Sequence, residues 1–380
     1  MINRILCLFL LICTFSKAQE NNSRLENTDS SLTEFTFKLN QLSSGKNKKI
    51  KILHIGDSHV QPDNFTGEAR RQTQKKFGNG GRGLVFPYSL AKTNGPKDFT
   101  ITSNVQWINS WNINYPHKFN LGISGMGIQS LTSEGEVDVN LIKDSLKNPF
   151  IKAIVIFTMD KTGEISLNNR ISKKASNSEF DTITLSLEKE QTNLKIAFTG
   201  SKLTIHGIYF ENSTNGIIYN SAGVAGARYQ DFNNTAYFSE QLKLFSPDLV
   251  IISLGTNESF DPNYEKEKFS NEVDNLIQKI KANSPSVNII LTLPSENYRV
   301  RKGIPIENAT VQSVSAVLRT QAIKNNCAIW DLYKTMGGKG SMLVWQKEGL
   351  VNKDLIHFLR SGYWRQGSLL FEAIESLVSN

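Results

Sequence analysis

The chain has 380 residues, only three cysteines and a formal net charge of +8 at pH 7. That length exceeds the needs of one small core and points to two domains, and so few cysteines exclude a disulfide-stapled scaffold. The basic residues are scattered (Lys46, Lys48 and Lys49, Arg70 and Arg71, Lys75 and Lys76) without interleaved aromatics, which excludes a single-stranded nucleic-acid binder and leaves a mild preference for anionic polymers.

Residues 1–18 read as an export signal: Arg4 supplies the positive start, residues 5–15 a short apolar stretch, and Ser16-Lys17-Ala18 a small-x-small cleavage site. The apolar stretch is too short to span a bilayer, and no later one is longer. The mature product is therefore expected outside the cytoplasm, secreted or periplasmic, without stable membrane insertion. Cleavage removes Cys7 and Cys13, lowers the charge to +6 and leaves Cys327, in the apolar context Cys327-Ala328-Ile329-Trp330, as an inert core residue. No cysteine or histidine spacing offers a metal site, and no cofactor is expected.

Residues 19–31 are rich in Asn, Ser, Glu and Thr and read as a flexible leader. Leu32, Phe35, Leu39 and Leu42 then recur at helical spacing, the apolar run 50–55 reads as a strand, and residues 65–77 as a helix closed by the glycine-rich loop 78–83. From residue 216 strands and helices alternate again: strands at 217–220, 248–254, 287–293 and 327–332, helices at 229–245, 264–282, 309–324 and 362–378. Such alternation indicates right-handed crossovers and a largely parallel sheet. Between residues 97 and 215 the pattern changes to short runs (99–108, 118–123, 153–159, 182–187, 194–199, 203–210) separated by polar turns, the spacing of an antiparallel β-sandwich. The expected organisation is an α/β domain formed by 32–96 and 216–380, interrupted by an inserted β-sandwich at 97–215.

Gly56-Asp57-Ser58-His59 directly follows the first strand, where a tight turn presents Ser58 at the carboxyl edge of the sheet. A serine hydroxyl needs a base to take its proton. Asp354-Leu355-Ile356-His357 supplies His357 as that base and Asp354 as the acid that holds the imidazole tautomer. Gly223 to Gly226 follow the next strand and Gly255-Thr256-Asn257-Glu258 the one after, so the N–H groups of Ser58 and Gly226 with the Asn257 amide form a three-donor oxyanion hole. His59 is a further candidate for touching substrate. Trp107, Trp111 and Tyr115 could form a sugar-stacking platform or belong to the sandwich core, and Arg299, Arg301 and Lys302 fall in a loop after residue 293.

At these four blocks the sequence resembles the SGNH (GDSL-type) hydrolases. Its third block ends in Glu258 where the family has aspartate, but the asparagine is retained. The resemblance implies a flavodoxin-like three-layer α/β/α fold and ester hydrolysis without a metal. Within the superfamily, the Gly-Asp-Ser-His block, Phe65-Thr66-Gly67 with Arg70 or Arg71, and the inserted β-domain look like periplasmic peptidoglycan O-acetylesterases with a carbohydrate-module-like insert. The expected substrate is an O-acetylated polysaccharide, peptidoglycan first. The alternatives are a lipase-like or thioester hydrolase on the same triad, and a non-catalytic glycan-binding surface protein.

Overall fold

The computed structural model describes residues 25–378 apart from 47, 144–145 and 177–178; the expected export signal lies outside the described residues. The centre of the α/β part is a seven-stranded sheet in the order Leu25–Glu26, Ala328–Asp331, Asn288–Leu293, Leu249–Ser253, Lys49–Gly56, Gly216–Gly223, Asn79–Gly81. All pairings are parallel except that of the edge strand Leu25–Glu26. The central strands are mainly apolar because both faces are covered. Alternate side chains go to opposite layers: Ile50, Ile52, Leu249 and Ile251 to one core, Leu53, Ile55, Val250 and Ile252 to the other. Each such side chain, fully buried, stabilises the fold by roughly 1.5–3 kcal/mol.

Helices Thr33–Ser43, Asn64–Phe77 and Arg360–Glu375 cover the first face. Helices Phe238–Phe245, Lys266–Asn283 and Thr310–Lys324 cover the second. This is the three-layer α/β/α arrangement that the resemblance implies, built on the largely parallel sheet that the alternation of elements indicates.

Between Gly81 and Gly216 the chain leaves this sheet. It builds two antiparallel sheets, one in the order Asp181–Gln191, Phe150–Thr158, Thr204–Glu211, Met126–Ser130, Trp107–Trp111, the other Ile171–Lys174, Glu164–Leu167, Asn193–Thr199, Gly135–Asn140, Thr100–Ser103. Trp107 of the first meets Phe198 of the second with ring centroids 5.9 Å apart, so the two sheets share a core. That core is continuous with the second face of the α/β part, where Tyr209 meets Phe245 at 5.4 Å and Phe180 meets Tyr237 at 5.5 Å.

Several expectations need correction. The supposed leader is not free from Leu25 onward, because Leu25 and Glu26 pair with Trp330 and Ile329, and Asn27 donates to the Cys327 carbonyl. The glycine loop 78–83 instead holds strand Asn79–Gly81 and part of strand Gly83–Val85, which joins the antiparallel sheet through Thr204–Glu211. The segment 118–123 is not a strand; Gly122 and Ile123 lie against the Gln241 side chain instead. The helix expected at 229–245 breaks into Tyr229–Asn233 and Phe238–Phe245, where Thr235 turns its hydroxyl back onto the Asp231 carbonyl. Cys327 is buried, and burial pushes its thiol up to about 12.

Candidate active site

The strands Lys49–Gly56, Gly216–Gly223 and Leu249–Ser253 end level with one another: Gly56 is in register with both Gly223 and Ser253. The segments that follow therefore leave the sheet side by side. Gly56 has no alternative here, since a Cβ would lie 2.4 Å from a Val60 methyl and 2.7 Å from the Ser253 carbonyl oxygen. The turn after it is closed by Val60 and Gln61 N–H groups donating to the Asp57 carbonyl. Its far end is held by Asp63, which accepts from Thr66, Arg70 and Ser221. Arg70 is thus the buried member of the arginine pair, whereas Arg71 pairs with Glu68 at the surface.

Ser58 Oγ lies 2.9 Å from His357 Nε2, and His357 Nδ1 lies 2.8 Å from Asp354 Oδ2. A carboxylate only accepts, so Nδ1 carries the proton and the Nε2 lone pair faces the serine hydroxyl. Local backbone fixes this pair. Leu355 takes a left-handed conformation (φ 55°) with its side chain buried, which turns the chain so that the Ile356 and His357 N–H groups both donate to Asp354 Oδ1 at 2.9 Å. Burial alone would raise the Asp354 carboxyl; these N–H bonds and the imidazole outweigh it and hold the group below its usual range.

On the other side of Ser58, Gly226 adopts φ 88° in an exposed turn. Among the described residues neither its N–H nor that of Ser58 has an acceptor. The loop is tied to the nucleophile turn twice: Val224 N–H donates to the Gly56 carbonyl at 3.0 Å and Ala225 N–H to Gln61 Oε1 at 2.7 Å. Asn257 Nδ2 donates to the Ala227 carbonyl at 3.0 Å and sits 3.4 Å from Asp57 Oδ2. The long contact leaves the second amide proton available to a stronger acceptor, such as an alkoxide. The four blocks thus meet at one sheet edge.

The residues around this centre set its electrostatics. Burial pushes the Asp57 carboxyl up to about 7 against the opposing effects of the His59 N–H bond and His357. Glu258 is buried behind Asn257 with Oε1 accepting the Tyr229 N–H at 2.8 Å, and burial pushes it up to about 8. The departure from the family pattern at this position therefore places a carboxyl against the backbone just after the Gly226 loop. His59, a candidate for touching substrate, lines the pocket beside Ser58 and is also held by its neighbours. Its ring stacks on that of His357 with centroids 5.2 Å apart, and its Nδ1 lies 3.0 Å from Tyr363 Oη. Burial, then His357, lowers it to about 3, so it packs on the His357 ring as a neutral partner.

The aromatic trio does not form one platform. Trp107 is buried against Phe198, Trp111 is half-buried, and Tyr115 alone is exposed, its ring 4.6 Å from that of His117. His54 is buried between Tyr219 Oη and Ser253 Oγ, each at 2.7 Å. Gln61 and Tyr363 carry no sequence signal for the supporting parts they play, since each acts through a partner far along the chain.

In fold and in the arrangement of these residues the chain resembles the SGNH-type serine hydrolases. The sequence model of the GDSL-like lipase/acylhydrolase family matches residues 209–365, a segment that contains Gly226, Asn257, Asp354 and His357 but begins after Ser58. The chain is similar in structure to a peptidoglycan O-acetylesterase, at 23% identity and a TM-score of 0.80, over 92% of this chain and 97% of that one. It is also matched over 42% of its length, and 81% of the other's, by an acetyl xylan esterase (19% identity, TM-score 0.34). A lipase/acylhydrolase from Enterococcus faecalis matches over 43% and 79% (21% identity, TM-score 0.34). No curated protein matches the sequence. The SGNH resemblance read from the four blocks holds, and so does the likeness to peptidoglycan O-acetylesterases in fold.

Proposed function

We propose that the protein is an exported carbohydrate O-acetylesterase whose lead substrate is O-acetylated peptidoglycan. The observation that carries the reading is the continuous relay from Ser58 Oγ to His357 Nε2 (2.9 Å) and from His357 Nδ1 to Asp354 Oδ2 (2.8 Å). Ser58 Oγ attacks the acetyl carbonyl carbon while His357 Nε2 takes its proton, and Asp354 stabilises the imidazolium. The negative charge that develops on the carbonyl oxygen is received by the Ser58 and Gly226 N–H groups and the Asn257 amide. Collapse breaks the bond to the sugar oxygen, which leaves with the proton from His357. Water then attacks the acetyl-serine with the same base, releasing acetate and restoring the hydroxyl.

The polysaccharide assignment draws on the likeness to a peptidoglycan O-acetylesterase along nearly the whole of both chains, a likeness of fold rather than of site. In the same reading residues 1–18 direct export to the periplasm or outside, and residues 97–215 are an insert that presents the glycan. A second reading has one feature in its favour. A pocket beside the triad, lined by His59, Phe65, Leu254, Pro294, Leu332 and Phe358, would suit a longer acyl chain. Two measurements decide between them: free acetate released from O-acetylated peptidoglycan, and kcat/KM across nitrophenyl esters of increasing chain length. Acetate release with a maximum at the acetyl ester is expected; a maximum at butyrate or longer, without acetate release, would establish the lipase-like alternative.

A further inference from the structure

The segment after strand Asn288–Leu293 is not the loop its sequence suggests. Strands Tyr298–Arg301 and Ile304–Glu307 pair as an isolated antiparallel hairpin that joins none of the larger sheets. Its turn, Lys302-Gly303, has φ 50° and 78°, and nothing lies within 4 Å of where a Gly303 Cβ would be, so the tip stands clear of the protein. Only Tyr298 is buried; the strand Ile304–Glu307 is exposed along its whole length. An element that buries so little contributes little to the fold.

Its base, in contrast, is fastened to both halves of the active site. Tyr298 N–H donates to the carbonyl of Leu355, between Asp354 and His357. Asn308 donates to the carbonyl and hydroxyl of Ser259, two residues beyond Asn257. Arg299 lies 4.8 Å over the Phe260 ring and donates to the same Ser259 carbonyl. Residues opposite one another in the register share a face, so Arg299, Arg301, Ile304 and Ile306 line one side, and Arg299 shows that this side turns toward the segment bearing Asn257. Ile304 and Ile306 are 64% and 47% exposed. Arg301 and Lys302 form no ion pair among the described residues, whereas the acid at the base, Glu307, is taken by Lys339.

We propose that this hairpin is a substrate arm, and that Arg301 and Lys302 receive carboxylates of an anionic polysaccharide while Ile304 and Ile306 pack against its apolar C–H faces. The proposal rests on the polysaccharide esterase reading. It makes the preferred substrate an acetylated glycan bearing carboxylates, as peptidoglycan does through its lactyl ethers and stem peptides, over a neutral acetylated glycan. Unpaired cations at a protruding tip attract such a polymer at long range and lose that attraction in salt.

The test is acetate release by the full chain and by the double variant Arg301→Glu/Lys302→Glu, with Arg301→Gln/Lys302→Gln as the milder change. Solubilised O-acetylated peptidoglycan, neutral acetylated xylan and nitrophenyl acetate serve as substrates. For peptidoglycan the charge reversal is expected to raise the apparent KM about tenfold with kcat retained, the glutamine pair is expected to fall between, and added salt is expected to shrink the difference. Nitrophenyl acetate hydrolysis, and any turnover of xylan, stay unchanged. An unaltered KM on peptidoglycan, or an equal loss on nitrophenyl acetate, overturns the arm while leaving the esterase reading intact. If the unmodified protein cleaves nitrophenyl acetate but frees no acetate from either polymer, the polysaccharide reading fails and the arm with it.

Discussion

The central strands of the parallel sheet are largely buried and several strands of the antiparallel sheets are half-exposed, and the proposed nucleophile and oxyanion donors all follow strands of the parallel sheet. In the parallel sheet every strand points the same way, and the registered ends at Gly56, Gly223 and Ser253 put three successive turns side by side. Ser58, Gly226 and Asn257 are neighbours for that reason, although up to 199 positions separate them in sequence. The antiparallel sheets alternate strand direction, so their turns divide between two ends and no single edge gathers them. What they bring to the site is a wall: Ile113 Cδ1 stands 3.6 Å from where a Gly226 Cβ would be, and Tyr115 lies exposed in the same loop. In the proposed mechanism the parallel region supplies the reacting groups, and the insert meets them through Ile113.

That division is open to direct attack. The largest effect is expected for Ser58→Ala, which should lower kcat on nitrophenyl acetate by about 10⁴- to 10⁶-fold without a change in Tm. Residual turnover above that range would remove Ser58 from the reaction. The next test sets the two regions against each other. Asn257→Ala should cost about 10²- to 10³-fold in kcat, the usual loss for one oxyanion donor, and leave stability nearly untouched. Trp107→Ala should do the reverse, destabilising the protein by about 3–5 kcal/mol while each folded molecule keeps its kcat. Equal kinetic damage from the two would mean that the antiparallel sheets take part in the chemistry.

The same contrast governs what could be read from sequence. Strands buried on both faces, such as Leu249–Ser253, announce themselves as apolar runs, and the motifs that follow them inherit a known position at the sheet edge. Ser58, Gly226 and Asn257 are legible on that ground, whereas Asp354 and His357 follow no strand and are read from the Asp-x-x-His spacing before the last helix. The antiparallel strands Gly135–Asn140, Glu164–Leu167 and Ile171–Lys174 are not legible, because short half-exposed segments such as Gly-Glu-Val-Asp-Val-Asn carry little apolar signal. The hairpin Tyr298–Glu307 escaped for a related reason: its turn is Lys-Gly, and its exposed residues mix charge with aliphatics. Gln61, which ties the Ser58 turn to the Gly226 loop, acts across 164 positions and has no local pattern at all.

Glu258 offers the smallest and finest probe of the parallel region, because its carboxyl is held just behind Asn257. Its ordinary value is 4.5, and burial pushes it up to about 8 in the folded protein. Between those two values the folded state keeps a proton that the unfolded chain has already lost. Stability associated with this group is therefore fully present below pH 4.5 and declines as pH rises through about 8. Asp57, pushed up to about 7, adds a decline of the same sign over a slightly lower window. Glutamine at position 258 retains an oxygen to accept the Tyr229 N–H but cannot ionise. Glu258→Gln should match the wild-type Tm near pH 4.5 and exceed it by roughly 3 °C or more at pH 8, with kcat/KM on nitrophenyl acetate within a few-fold. A Tm difference that is the same at both pH values would show that the Glu258 carboxyl is not protonated in the fold, and that the site tolerates a buried anion beside Asn257.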